Sequence, residues 1–447
     1  MKRSLARVKL GVVMTTLPRL QISPNQRFLV TESGQSFFWL GDTAWELFHR
    51  LTKEEAKLYF AKRQEQRFTL IQAVVLAEFD GLNTPNAYGE KPLIDNNPLQ
   101  LNEKYFAYID ELLQLAAEHN LYVGLLPTWG DKITPNWGAG PVIFDEGKAR
   151  AYGKLLAKRW QNQSNIVWII GGDRPARKNE NDWTPIWRAM AEGILDIDAK
   201  ALLTYHPQGG ISSTSVYLHQ EPWLHINMMQ SGHGGGHDVP GWEWIERDYN
   251  LTPTKPTLDA EPNYEDHPVN PWPTYDSRNG YFNDYDVRKQ MYRTVFAGGC
   301  GVTYGHQSVW QFASEKKPYI NYAKMDWLTA IDRPGANQVR HLRNLIEAYP
   351  HVSRIPDQSM IISNSEQRDA HLRATRDSEG SYALVYLPKP LPVTVWLEPL
   401  ASNVQAFWFD TCSGEKTSIG TFENKGEVTF TPPGYRPDWV LILESYG

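Results

Sequence analysis

Between residues 36 and 350 the chain alternates unbroken apolar runs with stretches of helical spacing, and that alternation limits its fold more than any other feature. The apolar runs fall at 36–41, 69–76, 121–127, 165–170, 201–205, 224–229, 256–260 and 301–304. Helices are predicted at 53–66, 103–119, 145–160, near 183–197, at 286–297 and near 337–348. The 103–119 segment carries Phe106, Ile109, Leu112, Leu113 and Leu115 on one face, the i, i+3, i+4 pattern of a helix lying on a core. Strands that are apolar throughout, rather than at every second residue, are covered on both faces, as in a parallel sheet. Eight such strands with helices between them predict a (β/α)8 TIM barrel in the α/β class. A doubly wound sheet is the alternative, but no strand is followed by G-x-G-x-x-G.

Residues 27–35, with the turn Ser33-Gly34-Gln35, predict a short N-terminal β-hairpin leading into the barrel. After residue 354 the pattern changes to short alternating segments at 382–386, 393–396, 404–409, 427–430 and 439–443, separated by Pro, Gly, Asn and Asp. That is the signature of an antiparallel β-sandwich. The expected division is therefore 1–353 for hairpin and barrel and 354–447 for a C-terminal β-sandwich domain.

Hydrophobic residues make up 41% and charged residues 21%, which supports a large core and excludes a disordered chain. The net charge of −6 with no basic block argues against nucleic acid and membrane surfaces as partners. The basic start Met1–Arg7 is followed by an apolar stretch, Leu10–Met14, too short for a signal peptide. No run approaches the ~20 apolar residues of a membrane span. A soluble protein of the cytoplasm or periplasm is expected, with its oligomeric state open. Cys300 and Cys412, one in each module, are expected to be free thiols.

Two acids sit where predicted strands run out. One ends Ile169-Ile170-Gly171-Gly172-Asp173, after the fourth strand; the other ends Leu258-Asp259-Ala260-Glu261, after the seventh. The C-terminal ends of barrel strands form the catalytic rim, and two carboxyls facing each other there are the machinery of glycoside hydrolysis. The plainer reading makes Asp173 a helix cap or a partner of Arg174, and Glu261 a member of an ion pair. Arg174 would also lower the pKa of Asp173, unless it points away or Glu261 supplies an opposing field.

Other rim positions supply candidates for substrate binding: Asp42 and Trp45 after strand one, Glu78 and Asp80 after strand two, and Trp129 and Trp137 after strand three. Tyr205 and His206 end strand five, Gln230 follows strand six, and His306 and Trp310 follow strand eight. The 17 Trp and 22 Tyr suit stacking on sugar faces, although core packing accounts for many of them. His233, His237 and Asp238 suggest a metal-dependent hydrolase as a rival, but flexible glycines between them predict a loop instead. No metal or organic cofactor is expected, and neither G-x-S-x-G nor a phosphate loop is present. A non-catalytic carbohydrate-binding barrel is the second rival.

The runs Phe38-Trp39-Leu40-Gly41-Asp42-Thr43-Ala44-Trp45, Gly171-Gly172-Asp173, Asp259-Ala260-Glu261-Pro262 and Gly298–Gly305 together resemble glycoside hydrolase family 140. These are apiosidase-like barrels with a C-terminal β-sandwich that carries a collagen-binding label. The resemblance covers nearly the whole chain. It implies Asp173 as acid/base and Glu261 as nucleophile of a retaining enzyme, and an oligosaccharide or polysaccharide substrate. The implied linkage is apiose on galacturonate in pectin, for which Arg174, Arg177 and Lys178 are candidate cations. Related retaining barrels place Asn-Glu after strand four, so Gly-Asp here shortens the reach of the acid.

Overall fold

The computed structural model describes residues 16–210, 213–363 and 367–446. The Met1–Met14 segment, where a signal peptide was sought, lies outside them. A three-stranded antiparallel sheet opens the chain: β1 (Leu20–Ile22), β2 (Leu29–Thr31) and β3 (Ser36–Phe37).

The barrel follows. Its first strands are β4 (Trp39–Thr43), β5 (Leu70–Leu76), β6 (Tyr122–Thr128) and β7 (Ile166–Gly171). A two-residue hairpin, β8 (Arg177–Lys178) and β9 (Asn181–Asp182), interrupts the loop after β7. The barrel resumes with β10 (Leu203–His206), β11 (Asn227–Met229), β12 (Thr257–Asp259) and β13 (Gly301–Tyr304), all parallel to their neighbours. Closure between β10 and β11 rests on the His225 N–H donating to Leu203 O at 3.0 Å and Thr204 Oγ1 donating to Ile226 O at 2.8 Å.

Around it lie α1 (Leu47–Arg50), α2 (Lys53–Glu65), α3 (Glu103–Glu118), α4 (Glu146–Trp160) and α5 (Thr184–Leu195), then α6 (Ser215–Leu218) and α7 (Gly241–Tyr249). The last three are α8 (Asp284–Phe296), α9 (Trp327–Ala330) and α10 (Pro334–Glu347). The starts are legible in the sequence: Thr52 with Glu55 and Asn283 with Asp286 form capping boxes, while proline opens α5 and α10. None of the described helices is long and apolar enough to cross a membrane.

Period-two alternation sorts the barrel side chains. Trp39, Leu70, Val74, Ile169 and Met228 fill the interior, while Leu40, Ile71, Ile170 and Leu203 pack outward under the helices. A chain of hydrogen bonds crosses the interior: Trp39 Nε1 donates to Thr303 Oγ1 at 3.0 Å, and Thr303 Oγ1 to Gln72 Oε1 at 3.1 Å. Gln72 Nε2 then donates to Ala260 O at 3.1 Å. Below this layer, Leu20, Phe28, Leu29 and Phe37 of the N-terminal sheet join the same apolar cluster and close the lower end of the barrel.

The C-terminal module is a six-stranded antiparallel sheet faced by a two-stranded one. Its strands are β14 (Arg354–Pro356), β15 (Arg373–Asp377), β16 (Tyr382–Leu387), β17 (Val393–Trp396), β18 (Val404–Asp410), β19 (Lys416–Phe422), β20 (Glu427–Phe430) and β21 (Trp439–Ser445). The larger sheet runs β14-β15-β16-β21-β18-β19, and β17 pairs with β20. Val393, Val395 and Phe430 of the pair meet Val385, Leu441 and Leu443 of the sheet in one core. Cys300 and Cys412 are both free.

Candidate active site

The glycines before Asp173 are required by space. Gly171 (φ +93°) would place a Cβ 2.4 Å from His206 O, and Gly172 (φ +118°) would place one 2.9 Å from Gly130 N. Only a residue without a side chain fits either backbone. Asp173 itself has φ +52°, so the chain turns sharply out of β7 and presents the acid to the barrel mouth. Glu261 leaves β12 in the same direction. Its N–H faces Asp259 Oδ1 at 3.4 Å, and Ser231 Oγ donates to Asp259 Oδ2 at 2.6 Å.

Both acids open onto one cleft of about 640 Å³ at the C-terminal ends of the strands. Of the sequence candidates, Trp45, Glu78, Trp129, Trp137, Gln230 and Trp310 line it as well. His206 lies buried between the two acids. Its Nδ1 accepts from the Asp173 N–H at 3.3 Å, and its Nε2 is 3.1 Å from Glu261 Oε2, close but off the hydrogen-bond axis. The edges of Trp45 and the tilted face of Trp129 hold the imidazole in place. His233 makes the matching contact on the other oxygen, with Nε2 at 3.3 Å from Glu261 Oε1, while its Nδ1 accepts from the Tyr264 N–H at 3.4 Å.

These two contacts fix the tautomers. A ring nitrogen that accepts a backbone N–H carries no proton, so in both histidines Nε2 bears the hydrogen that faces Glu261. Burial alone would raise the Glu261 carboxyl, but the close approach of His206 and the hydrogen bond from His233 outweigh it and hold the group down to about 2. Asp173 has the opposite environment. Burial first, and the Glu261 charge second, push it up to about 6 against the pull of Arg174 and His206.

Arg174 is occupied elsewhere. Its guanidinium stacks on Trp137 at 3.9 Å and donates to Trp137 O and Asp173 O, both at 2.7 Å, and reaches Asp173 Oδ2 only at 3.3 Å. Glu78 brings a third carboxyl to the cleft, pushed well above the ordinary range by burial and then by Glu46 and Asp173.

Four sequence candidates lie elsewhere. Asp42 is fully buried on the outer face of β4, 2.6 Å from Arg63 Nε and hydrogen-bonded by the Tyr59 hydroxyl. Tyr205 also faces outward, its ring against Trp187 and its hydroxyl donating to Arg174 O at 2.8 Å. His306 pairs with Asp266 at 3.0 Å beneath the loop after β12, with Nδ1 accepting from the Ser308 N–H. Asp80 accepts from Asn83 Nδ2 on the surface. None of these four lines the cleft.

Arg177 pairs with Asp182, and Lys178 donates to Asn136 Oδ1 at 3.0 Å, both on the β8–β9 hairpin. His233, His237 and Asp238 turn to three different partners: Glu261, Asp286 and the pair Lys289 and Arg293. Among the described residues no group of three metal-ligating side chains converges.

The cleft also contains Gln208, Tyr264, His267, Trp272 and Asn321, which the sequence reading did not single out. Tyr264 stands three residues past Glu261, a spacing that would have flagged it; Trp272 gives no such signal. His267 stacks on His233 at 4.0 Å, and Trp137 and Trp272, 40% and 58% exposed, stand at the mouth.

Comparison with known proteins supplies the class. The family model described as the apiosidase-like catalytic domain matches residues 23–353, and one labelled for collagen binding in a collagenase matches 355–444. A solved structure titled glycoside hydrolase is 33% identical, with TM-score 0.86, covering 96% of this chain and 97% of its own. A glycoside hydrolase family 5 structure from Bacteroides vulgatus is 32% identical, with TM-score 0.87 and coverages of 96% and 93%. Another Bacteroides vulgatus structure at 14% identity and TM-score 0.64 shares the fold. No curated protein matches the chain.

Proposed function

We propose a retaining glycosidase, taking as premise that the chain belongs to the apiosidase-like family of glycoside hydrolases. The observation that carries the reading is the unequal treatment of two carboxyls on one cleft: Glu261 is clamped and held down to about 2, and Asp173 is half-buried and pushed up to about 6. Pairs of acids pushed apart in this way divide into nucleophile and acid.

Glu261 attacks the anomeric carbon while the bond to the leaving oxygen breaks, and Asp173 gives that oxygen its proton. Asp173, now ionised, takes a proton from water as the water attacks the same carbon and releases Glu261. His206 and His233 keep Glu261 pointing at the sugar without spending their own protons. Trp45, Trp129 and Trp310 wall the glycone site, and Gln230 and Glu78 offer hydrogen bonds to its hydroxyls.

The substrate we assign is a plant cell-wall, pectic oligosaccharide, with apiose as the glycone on the strength of the family match. The described cleft lining contains no Lys or Arg. A galacturonate unit therefore belongs outside it, beside Trp137, where Lys178 reaches Asn136.

The test is sugar release from pectic oligosaccharides and aryl glycosides by wild type and Glu261→Gln, with the anomer first formed read by proton NMR. Release by wild type alone, with retained configuration, supports the reading. Inverted product refutes the nucleophilic role of Glu261, and equal release by the variant refutes the site.

A further inference from the structure

We propose that Arg293 is a positioning residue for the hydrolysis, tying the loop that carries His233 to the C-terminal sheet. The inference rests on the reading of Glu261 given above. The loop after β11 is rich in glycine, from Ser231 to Asp238, and glycines do not hold a conformation by themselves. Yet the loop must deliver the His233 Nε2–H to within 3.3 Å of Glu261 Oε1. Its far end is held by Gly236 N–H on Asn270 Oδ1 at 3.0 Å, by His237 on Asp286 at 3.0 Å, and by Asp238, whose Oδ1 lies 2.8 Å from Lys289 Nζ and 3.2 Å from Arg293 Nη1, both on α8.

Arg293 is fully buried and uses its remaining donors on the C-terminal module. Nε donates to His371 O at 3.1 Å and Nη2 to Arg368 O at 2.8 Å. Trp242, at the start of α7 just past the loop, lies under the guanidinium at 4.8 Å and stacks on His371 at 4.5 Å. One cation thus joins three parts: the loop, the helix of the seventh barrel unit, and backbone carbonyls of the C-terminal module. The path from those carbonyls to Glu261 runs Arg293, Asp238, loop, His233.

The experiment uses full-length chain, comparing wild type, Arg293→Met and Asp238→Asn. Histidine labelled with nitrogen-15 reports the His233 tautomer directly by NMR, and steady-state kinetics report its consequence. The groups facing Glu261 are His206, His233, Asp173, Asp259 and Tyr264, so a change confined to His233 moves only the acid limb of the profile. In both variants we expect the fixed Nε2–H signature of His233 to give way to averaging. We also expect kcat to fall by about tenfold or more with KM changed less than about twofold, and the acid limb to move up.

A merely structural Arg293 would lower the melting temperature and leave the tautomer, the kcat and the limb as in wild type. That result in either folded variant overturns the proposal. Should Arg293→Met fail to fold, Asp238→Asn, changed on the loop side, decides alone. Should wild type hydrolyse nothing, the reading of Glu261 fails while the NMR comparison still decides Arg293.

Discussion

Replacing His233 by Phe tests the clamp on Glu261 most directly. The slightly larger phenyl ring keeps an aromatic face against His267 but deletes the Nε2–H that faces Glu261 Oε1. A hydrogen bond to a charged group contributes about 1.5–3 kcal/mol. At 1.36 kcal/mol per pKa unit, its loss raises the Glu261 carboxyl by about one to two units. The sign follows from the mechanism. The proposed reaction needs Glu261 ionised and Asp173 protonated, so kcat/KM is expected to rise as pH passes upward through the Glu261 value and to fall as it passes the Asp173 value. In wild type those limbs are expected at about 2 and about 6.

In His233→Phe the acid limb moves up by those one to two units, into a range that is easily measured. The alkaline limb stays, because Glu261 is still ionised at pH 6 and still repels a charge on Asp173. The assay is kcat/KM for the best aryl glycoside from pH 3 to 8. An acid limb that does not move, or an alkaline limb that moves with it, would show that His233 does not hold the nucleophile.

Four further outcomes are expected. Arg63→Met leaves Asp42 buried without its cation and destabilises the fold by about 3–5 kcal/mol, read from urea midpoints, with part of the loss recovered by adding Asp42→Asn. Trp272→Ala removes a stacking face at the mouth and raises KM about fivefold with kcat nearly unchanged, in line with the ~1 kcal/mol of an aromatic contact. Gly305→Ala would put a Cβ 2.1 Å from Tyr264 Cδ1, and its displacement of that ring lowers kcat by roughly tenfold or more. Dialysis against a chelator leaves activity intact; loss restored by a divalent cation would revive the metal reading.

Much of the fold is legible because each strand–helix unit repeats the same physical demand. Runs such as Leu121–Pro127 have no polar residue to place outside, and the observed β6 differs from the predicted span by one residue at each end. The elements missed were those whose burial depends on distant partners. Helix α7 is short and follows a glycine loop; its Trp242 and Ile245 pack on Met229 and Ala297 of the barrel, and Trp242 also stacks on His371 of the C-terminal module. Strand β15 reads Arg-Ala-Thr-Arg-Asp, and β19 lies on an exposed edge, so neither has an apolar pattern.

The site was legible to the extent that strand parity was used. Asp42 shares its face with Leu40, and Tyr205 with Leu203, both of which point outward. Counting by twos would have removed both acid and phenol from the candidate site and kept His206, which lies on the inward face with Thr204. Trp272 and Asn321 reach the cleft on long loops, and no local rule locates them.

The side chains that fill the barrel beneath the two acids close the cleft from below, and a site with one mouth imposes an order of traffic. The aglycone must depart through the same opening by which it entered before anything can follow it in. In the proposed mechanism the glycosyl group left on Glu261 then waits at the bottom of a cul-de-sac, and water reaches it through the space the aglycone has vacated. Any sugar that lodges in that space in time competes with water for the bond. High concentrations of product are therefore expected to turn the enzyme from a cutter into a coupler of sugars, an outcome visible as longer oligosaccharides late in digestion.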